Sequence, residues 1–286
     1  MERRRQILLA FLTAVLFFSS LCLFSVVRLM RTEQEYYSQM AAADEEIVDA
    51  DTETDSFIVT DNELQDDSSL IDQEPVDNEW LTALSNENED FAAWLCIDGT
   101  HIDYPVMMTP DRPDYYLRRS FTKEKSVSGT PYIANECDLG SNNILIYGHN
   151  MKNGTMFSDL LLFKDESFYK SNSTISLDTV KTSSNYEIIA VFPEKVHYKD
   201  EKGVFRYYEY AGELDEKRFN EYLTEIKERS LYDTGNAASY GDRLITLSTC
   251  AYHTENGRFV IVAADRRNAD NLMKSQIRHH FSGAQE

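Results

Sequence analysis

The stretch Arg243-Leu-Ile-Thr-Leu-Ser-Thr-Cys250 alternates with a period of two, as a β-strand does. That period puts Leu244, Thr246, Ser248 and Cys250 on one face and Ile245, Leu247 and Thr249 on the other. Cys250 thus ends a mostly polar face, as a thiol lining a cleft would. A second strand, Arg258-Phe-Val-Ile-Val-Ala-Ala264, follows an Asn256-Gly257 turn signal. If the two pair antiparallel around residues 251–257, Cys250 and Arg258 stand nearly opposite on one face, with Cβ atoms about 5 Å apart. A guanidinium there favours the thiolate and offers donors to a developing oxyanion. Taken by itself, Arg258 reads first as a surface charge at a strand end.

Outward from this pair, residues 143–147 read as another strand, and Asn143-Ile-Leu-Ile-Tyr-Gly-His149 ends it at a glycine where the chain can turn sharply and present a histidine. A lone histidine is more often a surface residue than a catalyst. The others point less clearly to chemistry: His101 lies in a hairpin, His197 in a charged loop, His279 and His280 in a polar tail. His253 makes a Cys-x-x-His with Cys250, but two ligands do not hold a structural zinc, so no metal is expected. Residues 93–97, 101–107, 130–134, 174–177, 186–192 and 204–210 also read as strands. Trp80, Leu81, Leu84 and, further on, Phe91 and Trp94 suggest a short amphipathic helix packed on the strands after it. A short helix is expected over 156–163 and a longer one over 214–230, with Phe219, Tyr222, Leu223 and Ile226 on one face. Many short strands with one long inserted helix predict a mostly β protein, a closed or nearly closed barrel.

Residues 7–27 form an apolar run interrupted only by Thr13, Ser19, Ser20 and Ser25, and about 20 such residues span a bilayer as a helix. Arg3, Arg4 and Arg5 precede it while Arg28 and Arg31 come after, which predicts a single-pass anchor with residues 1–6 cytoplasmic and the body outside. Of the 286 residues, about 200 remain for folding once the anchor and a polar stretch are set aside, enough for one domain. The net charge of -21 is uneven: +4 over residues 1–31, -23 over 32–111, which hold no Lys or Arg, and -2 over 112–286. Residues 28–77 therefore read as an acidic stalk, disordered or partly helical, and 271–286 as a polar tail. No basic stripe exists, which argues against nucleic acid as a partner. The cysteines are Cys22, Cys96, Cys137 and Cys250, without a CxxC motif. Three fall in the exterior portion, so at least one thiol there is free or bonded to another chain.

Several of these motifs together resemble the sortases, particularly class B. They are Thr246-Leu-Ser-Thr-Cys250 with Arg258 eight residues later, and Asn143-Ile-Leu-Ile-Tyr-Gly-His149 with Asn153-Gly-Thr-Met-Phe157 after it. Trp94-Leu-Cys-Ile-Asp-Gly-Thr-His-Ile-Asp-Tyr-Pro-Val106 is similar to the start of that family's barrel, and the 214–230 helix sits where class B has its long insertion. The likeness covers residues 76–265 and implies an eight-stranded closed barrel within a catalytic domain of residues 78–270, the helix preceding the catalytic strand. It further implies His149, Cys250 and Arg258 as catalytic residues, with Tyr147, Ser248 and Leu117 lining a substrate groove. No cofactor is implied. The activity implied is cleavage of a C-terminal sorting motif after threonine, through a thioacyl-enzyme. Its partners would be exported surface proteins and an amine acceptor, on peptidoglycan precursor or a pilin lysine. An extracytoplasmic cysteine protease and a non-catalytic, membrane-tethered binding domain are the two competing readings.

Overall fold

The structure is a computed structural model and describes residues 2–51, 78–198, 200–251 and 256–265. Its strands are β1 (Phe91–Cys96), β2 (Asp103–Met107), β3 (Tyr132–Ile133), β4 (Asn143–Tyr147), β5 (Thr174–Asp178), β6 (Ser183–Lys195), β7 (Arg243–Cys250) and β8 (Gly257–Asp265). They close into a barrel in the order β1-β2-β3-β4-β7-β8-β6-β5, with β5 pairing back onto β1, so the expected closed eight-stranded barrel is found. Closure gives every strand a neighbour on both sides, although β2 and β3 meet only at Met107 and Tyr132. The β2–β3 and β4–β7 pairs are parallel and the rest antiparallel. A parallel pair needs a long crossover, and everything from β5 to helix α4 (Glu216–Arg229) lies within the one joining β4 to β7. Its consequence is local: β4 and β7 run the same way, so the residues that leave their C-terminal ends emerge side by side.

One face of β7, Ile245 and Leu247, lies in register with Ile144 and Ile146 of β4 and with Ala263 and Ile261 of β8, all buried. The other face, expected to border a cleft, is mostly roofed over. Thr246 and Ser248 are buried, each hydroxyl 2.8 Å from a tyrosine hydroxyl, Tyr222 for the first and Tyr207 for the second. Both tyrosines belong to the β6–β7 excursion. Pairing these groups avoids the roughly 1–3 kcal/mol cost of an unsatisfied buried hydroxyl, and it leaves only Cys250, at the strand end, partly open.

Helix α4 starts where the Asp215 side chain accepts the Arg218 N–H at 2.8 Å, a helix cap, and it buries Phe219, Tyr222 and Ile226. Helix α2 (Glu79–Glu87) buries Trp80, Leu81 and Leu84, and Trp80 meets Trp94 of β1 edge-on with ring centroids 4.7 Å apart. The 156–163 helix is present as a 3-10 segment, Phe157–Lys164. A short helix α3 (Glu166–Ser171), capped by Asp165, was not apparent in the sequence. Residues 204–210, read as a strand, are instead a loop with a 3-10 turn at Tyr207–Tyr210. Their alternating aromatics mimic a strand but pack on α4: Phe205 and Tyr210 each stack on Tyr222, with centroids 6.2 and 5.1 Å apart.

Helix α1 runs from Glu2 to Asp51 without a break. Its apolar part is long and apolar enough to cross a membrane, and its large side chains there, such as Phe11, Phe18 and Phe24, cover nothing on the barrel. The polar segment that begins at Thr32 continues the same helix and buries Tyr37 and Met40 against the barrel. The remainder of the acidic stretch, residues 52–77, and the tail at 271–286 lie outside the described residues.

Candidate active site

The parallel β4–β7 ladder sets Tyr147 abreast of Ser248 and does not stop at the strand ends. The Gly148 N–H donates to the Ser248 carbonyl at 3.2 Å, and the Thr249 hydroxyl donates to the Gly148 carbonyl at 2.8 Å. These bonds carry His149 forward beside Cys250. Position 148 admits only glycine, because a Cβ there would lie 2.4 Å from the Phe157 ring. That ring is held by the Phe157 N–H donating back to the His149 carbonyl at 2.8 Å. Gly148→Ala should therefore cost about 1–3 kcal/mol of stability, the usual penalty of overpacking, and at temperatures where the variant is still folded it should also lower activity, because His149 is displaced. Thermal melts and peptide turnover measured on the same preparation check this.

Across the hairpin, Cys250 and Arg258 are a direct antiparallel pair, as the alternation predicts. Arg258 donates one Nη1–H to the Gly257 carbonyl at 3.0 Å. Glu194 of β6 lies abreast of Arg258 on its other side, but its carboxylate turns to Arg229 at 3.4 Å and His197 at 3.5 Å. Among the described residues no carboxylate comes within ion-pair distance of Arg258, so a partly buried guanidinium faces the cleft region without a fixed counter-charge. Asn150, next to His149, donates its Nδ2–H to the Cys250 carbonyl at 2.8 Å and so ties the histidine loop to the cysteine strand.

His149 Nε2 is 2.8 Å from the Leu117 carbonyl. A carbonyl only accepts, so in the neutral ring Nε2 carries the hydrogen and Nδ1 is the basic nitrogen. Burial holds the His149 pKa below the ordinary 6.5, the charges of Arg118 and Arg258 push the same way, and the Leu117 bond opposes them. The folded state thus resists protonation, and this contribution to stability is lost as pH falls from 6.5 through the lowered value. Titration of the His149 ring by NMR should give a midpoint below 6.5, and Arg258→Gln should raise it; a midpoint at or above 6.5 would contradict this placement.

The six residues expected at the site, Leu117, Tyr147, His149, Ser248, Cys250 and Arg258, all line one cleft of about 430 Å³. Tyr147 packs on Tyr132 with centroids 5.7 Å apart, and the Tyr132 hydroxyl donates to Asp114 at 2.8 Å. Ser248 is the least available, its hydroxyl being engaged by Tyr207. Sequence reasoning missed Asn150, Thr130, Tyr207 and the acidic pair Asp114 and Glu136, which shape the same cleft or its supports. Only Asn150 carried a signal, as a side chain with donors beside a candidate histidine. The other described histidines lie elsewhere: His101 is exposed beside Asp159, and His197 sits between Glu194 and Glu201. His253, His279 and His280 fall outside the described residues. Cys137 is buried and Cys96 partly so, and burial pushes the thiol pKa of both upward, Cys96 to about 12.

A cysteine and an arginine paired at the mouth of a barrel, with a histidine delivered beside them by a parallel crossover, invite comparison with known proteins. The sortase domain family model matches residues 95–266. Sortase B of Listeria monocytogenes is 35% identical over 185 residues, which is 63% of this chain and 72% of that protein. The crystal structure of Clostridium perfringens sortase B superposes with a TM-score of 0.56 at 36% identity, covering 64% of this chain and 98% of that one. A Staphylococcus aureus sortase B–substrate complex gives a TM-score of 0.57 at 25% identity, over 67% and 86% of the two chains. The matched span runs from the end of β1 through β8 and contains the whole cleft, so the chain belongs to the sortase family, in its class B, and is a cysteine transpeptidase of the cell-wall type.

Proposed function

We propose that this enzyme cleaves a C-terminal sorting motif of exported proteins after its threonine and transfers the new carboxyl end to an amine of peptidoglycan precursor, with a pilin lysine as the other acceptor of the same chemistry. Cys250 acts as nucleophile. Its thiol proton passes to His149 Nδ1, the thiolate attacks the threonine carbonyl carbon, and the resulting oxyanion takes hydrogen bonds from Arg258. His149 Nδ1–H protonates the departing amine as the C–N bond breaks, leaving a thioester on Cys250. The acceptor amine then attacks the thioester, gives its extra proton to His149, and the Cys250 thiolate leaves. Leu117 and Tyr147 form the walls against which the motif lies, and Ser248 supports the floor. The observation that carries this reading is the direct Cys250–Arg258 pair, in which the guanidinium has no carboxylate partner among the described residues. A salt-bridged arginine would serve structure; one left uncompensated beside a thiol suits a developing negative charge.

The same reading takes the apolar part of α1 as a single membrane anchor, N-terminus inside and barrel outside, where both the exported substrate and a lipid-borne wall precursor are met. The test is product analysis with a sorting-motif peptide, with and without an amine acceptor. Ligated product that grows with acceptor concentration is expected. Hydrolysis alone, whatever the acceptor, would make the protein a protease, and the absence of any cleavage across a broad peptide panel would leave a binding domain.

A further inference from the structure

We propose that the turn of α1 around Gln34 and Tyr37 is a positioning element of the cleft, bracing both of its walls from the membrane side. This rests on reading the cleft as the transpeptidase site. The first brace runs through Tyr37, whose ring is fully buried. The Thr130 hydroxyl donates to the Arg119 carbonyl at 2.9 Å, so the Tyr37 hydroxyl, 3.0 Å from Thr130 Oγ1, is the donor to it. The Tyr37 oxygen in turn accepts the Phe121 N–H at 3.3 Å. Thr130 lines the cleft, and its own N–H donates to the Tyr116 carbonyl at 3.0 Å, next to Leu117, whose carbonyl holds His149.

The second brace runs through Gln34. Its Oε1 accepts the Tyr104 hydroxyl at 3.1 Å, and the Tyr104 oxygen accepts the Met156 N–H at 3.2 Å. Met156 has φ of 58°, a conformation unfavourable for a residue with a side chain, so it needs an external hold. It bridges to Asn150, and Asn150 grips the Cys250 carbonyl. Two polar side chains one helical turn apart on α1 thus reach the two segments that fix His149 and Cys250. Packing alone would suffice to dock a helix; neither hydroxyl chain would be needed. Because α1 is unbroken, the seven-residue step from Val27 to Gln34 amounts to about 10 Å of rigid helix between the end of the apolar run and the nearer brace. The cleft is carried on a strut, at a set height and orientation, and of the two forms expected for this segment, disordered or partly helical, its start takes the helical one.

The test uses the full-length chain in lipid nanodiscs and the double variant Gln34→Ala, Tyr37→Phe, which removes both polar contacts while keeping the buried Tyr37 ring. Two hydrogen bonds of ordinary worth predict a fall in kcat/KM of about tenfold. Amide hydrogen exchange should accelerate at residues 116–130 and 149–157 while the rest of the barrel keeps its protection. Gln34→Glu with Tyr37 intact, which retains the acceptor, should keep activity near that of the native chain. Native exchange in those two segments would overturn the inference, as would a loss of protection spread evenly over the barrel. If the native chain forms no ligated product at all, the transpeptidase reading fails, and the exchange pattern still decides whether the braces exist.

Discussion

Cys250→Ala is expected to abolish both cleavage of a sorting peptide and amine-dependent ligation, a loss on the order of 10⁴-fold or more, since the covalent route disappears with the nucleophile. Neither of the other described thiols outside the apolar run can substitute. Cys137 is buried, with Sγ 3.5 Å from the Asn143 carbonyl and 3.4 Å from the Leu145 N–H, and the Cys96 thiol is held in its neutral form by burial and by neighbouring aspartates. The fold should be indifferent to the change, because Cys250 ends its strand and is only partly buried. Circular dichroism and melting temperature should therefore match the native protein while turnover vanishes. Full activity in the variant would end the assignment of the nucleophile.

Arg258→Lys is the second large effect and the more discriminating one. Lysine preserves the positive charge, so if Arg258 served only as a charge that attracts substrate, activity would largely survive. Charge aside, what lysine lacks is the planar fork that can keep one N–H on the Gly257 carbonyl and still aim others at an oxyanion. Losing an oxyanion donor costs about 100- to 1,000-fold in kcat, so we expect a loss of at least about 100-fold, seen in kcat more than in KM. The Cys250–Arg258 register makes this specific: the lost donors cannot be recovered by sliding a strand without turning the side chains to the opposite face. Steady-state kinetics with saturating acceptor check it, and an unchanged kcat would reassign Arg258 to the surface-charge role that the sequence alone first suggests.

The Cys250–Arg258 hairpin and the histidine strand were legible because a half-buried strand writes its geometry as an alternation. The strand ending in Tyr147 was bounded correctly at both ends, and the two strands of the Cys250–Arg258 pair to within a residue. The same alternation misled at 204–210, where Phe205 and Tyr210 serve a helix and not a sheet. Period reports which side chains share a face but not what covers that face. The alternation therefore gave no sign that Tyr222 caps Thr246 or that Tyr207 engages the Ser248 hydroxyl at the cleft. Contacts between residues distant in sequence left no pattern to read. Asn150 on the Cys250 carbonyl and Tyr37 on Thr130 join side chains whose residue types are ordinary in loops and surface helices. The acidity of the segment after residue 31 hid the second of these, since a stretch so poor in apolar residues reads as spacer, yet it buries Tyr37 and Met40.

Whether Cys250 carries the peptide as a thioester and surrenders it to an amine is tested most directly by intact-mass analysis of the full-length enzyme, incubated with a panel of candidate sorting peptides and no acceptor. The expected result is a mass increase equal to the peptide up to its threonine, located on Cys250 by digestion and discharged when an amine is added. Turnover without an adduct on Cys250, or an adduct on Cys96 or Cys137 in its place, would contradict it.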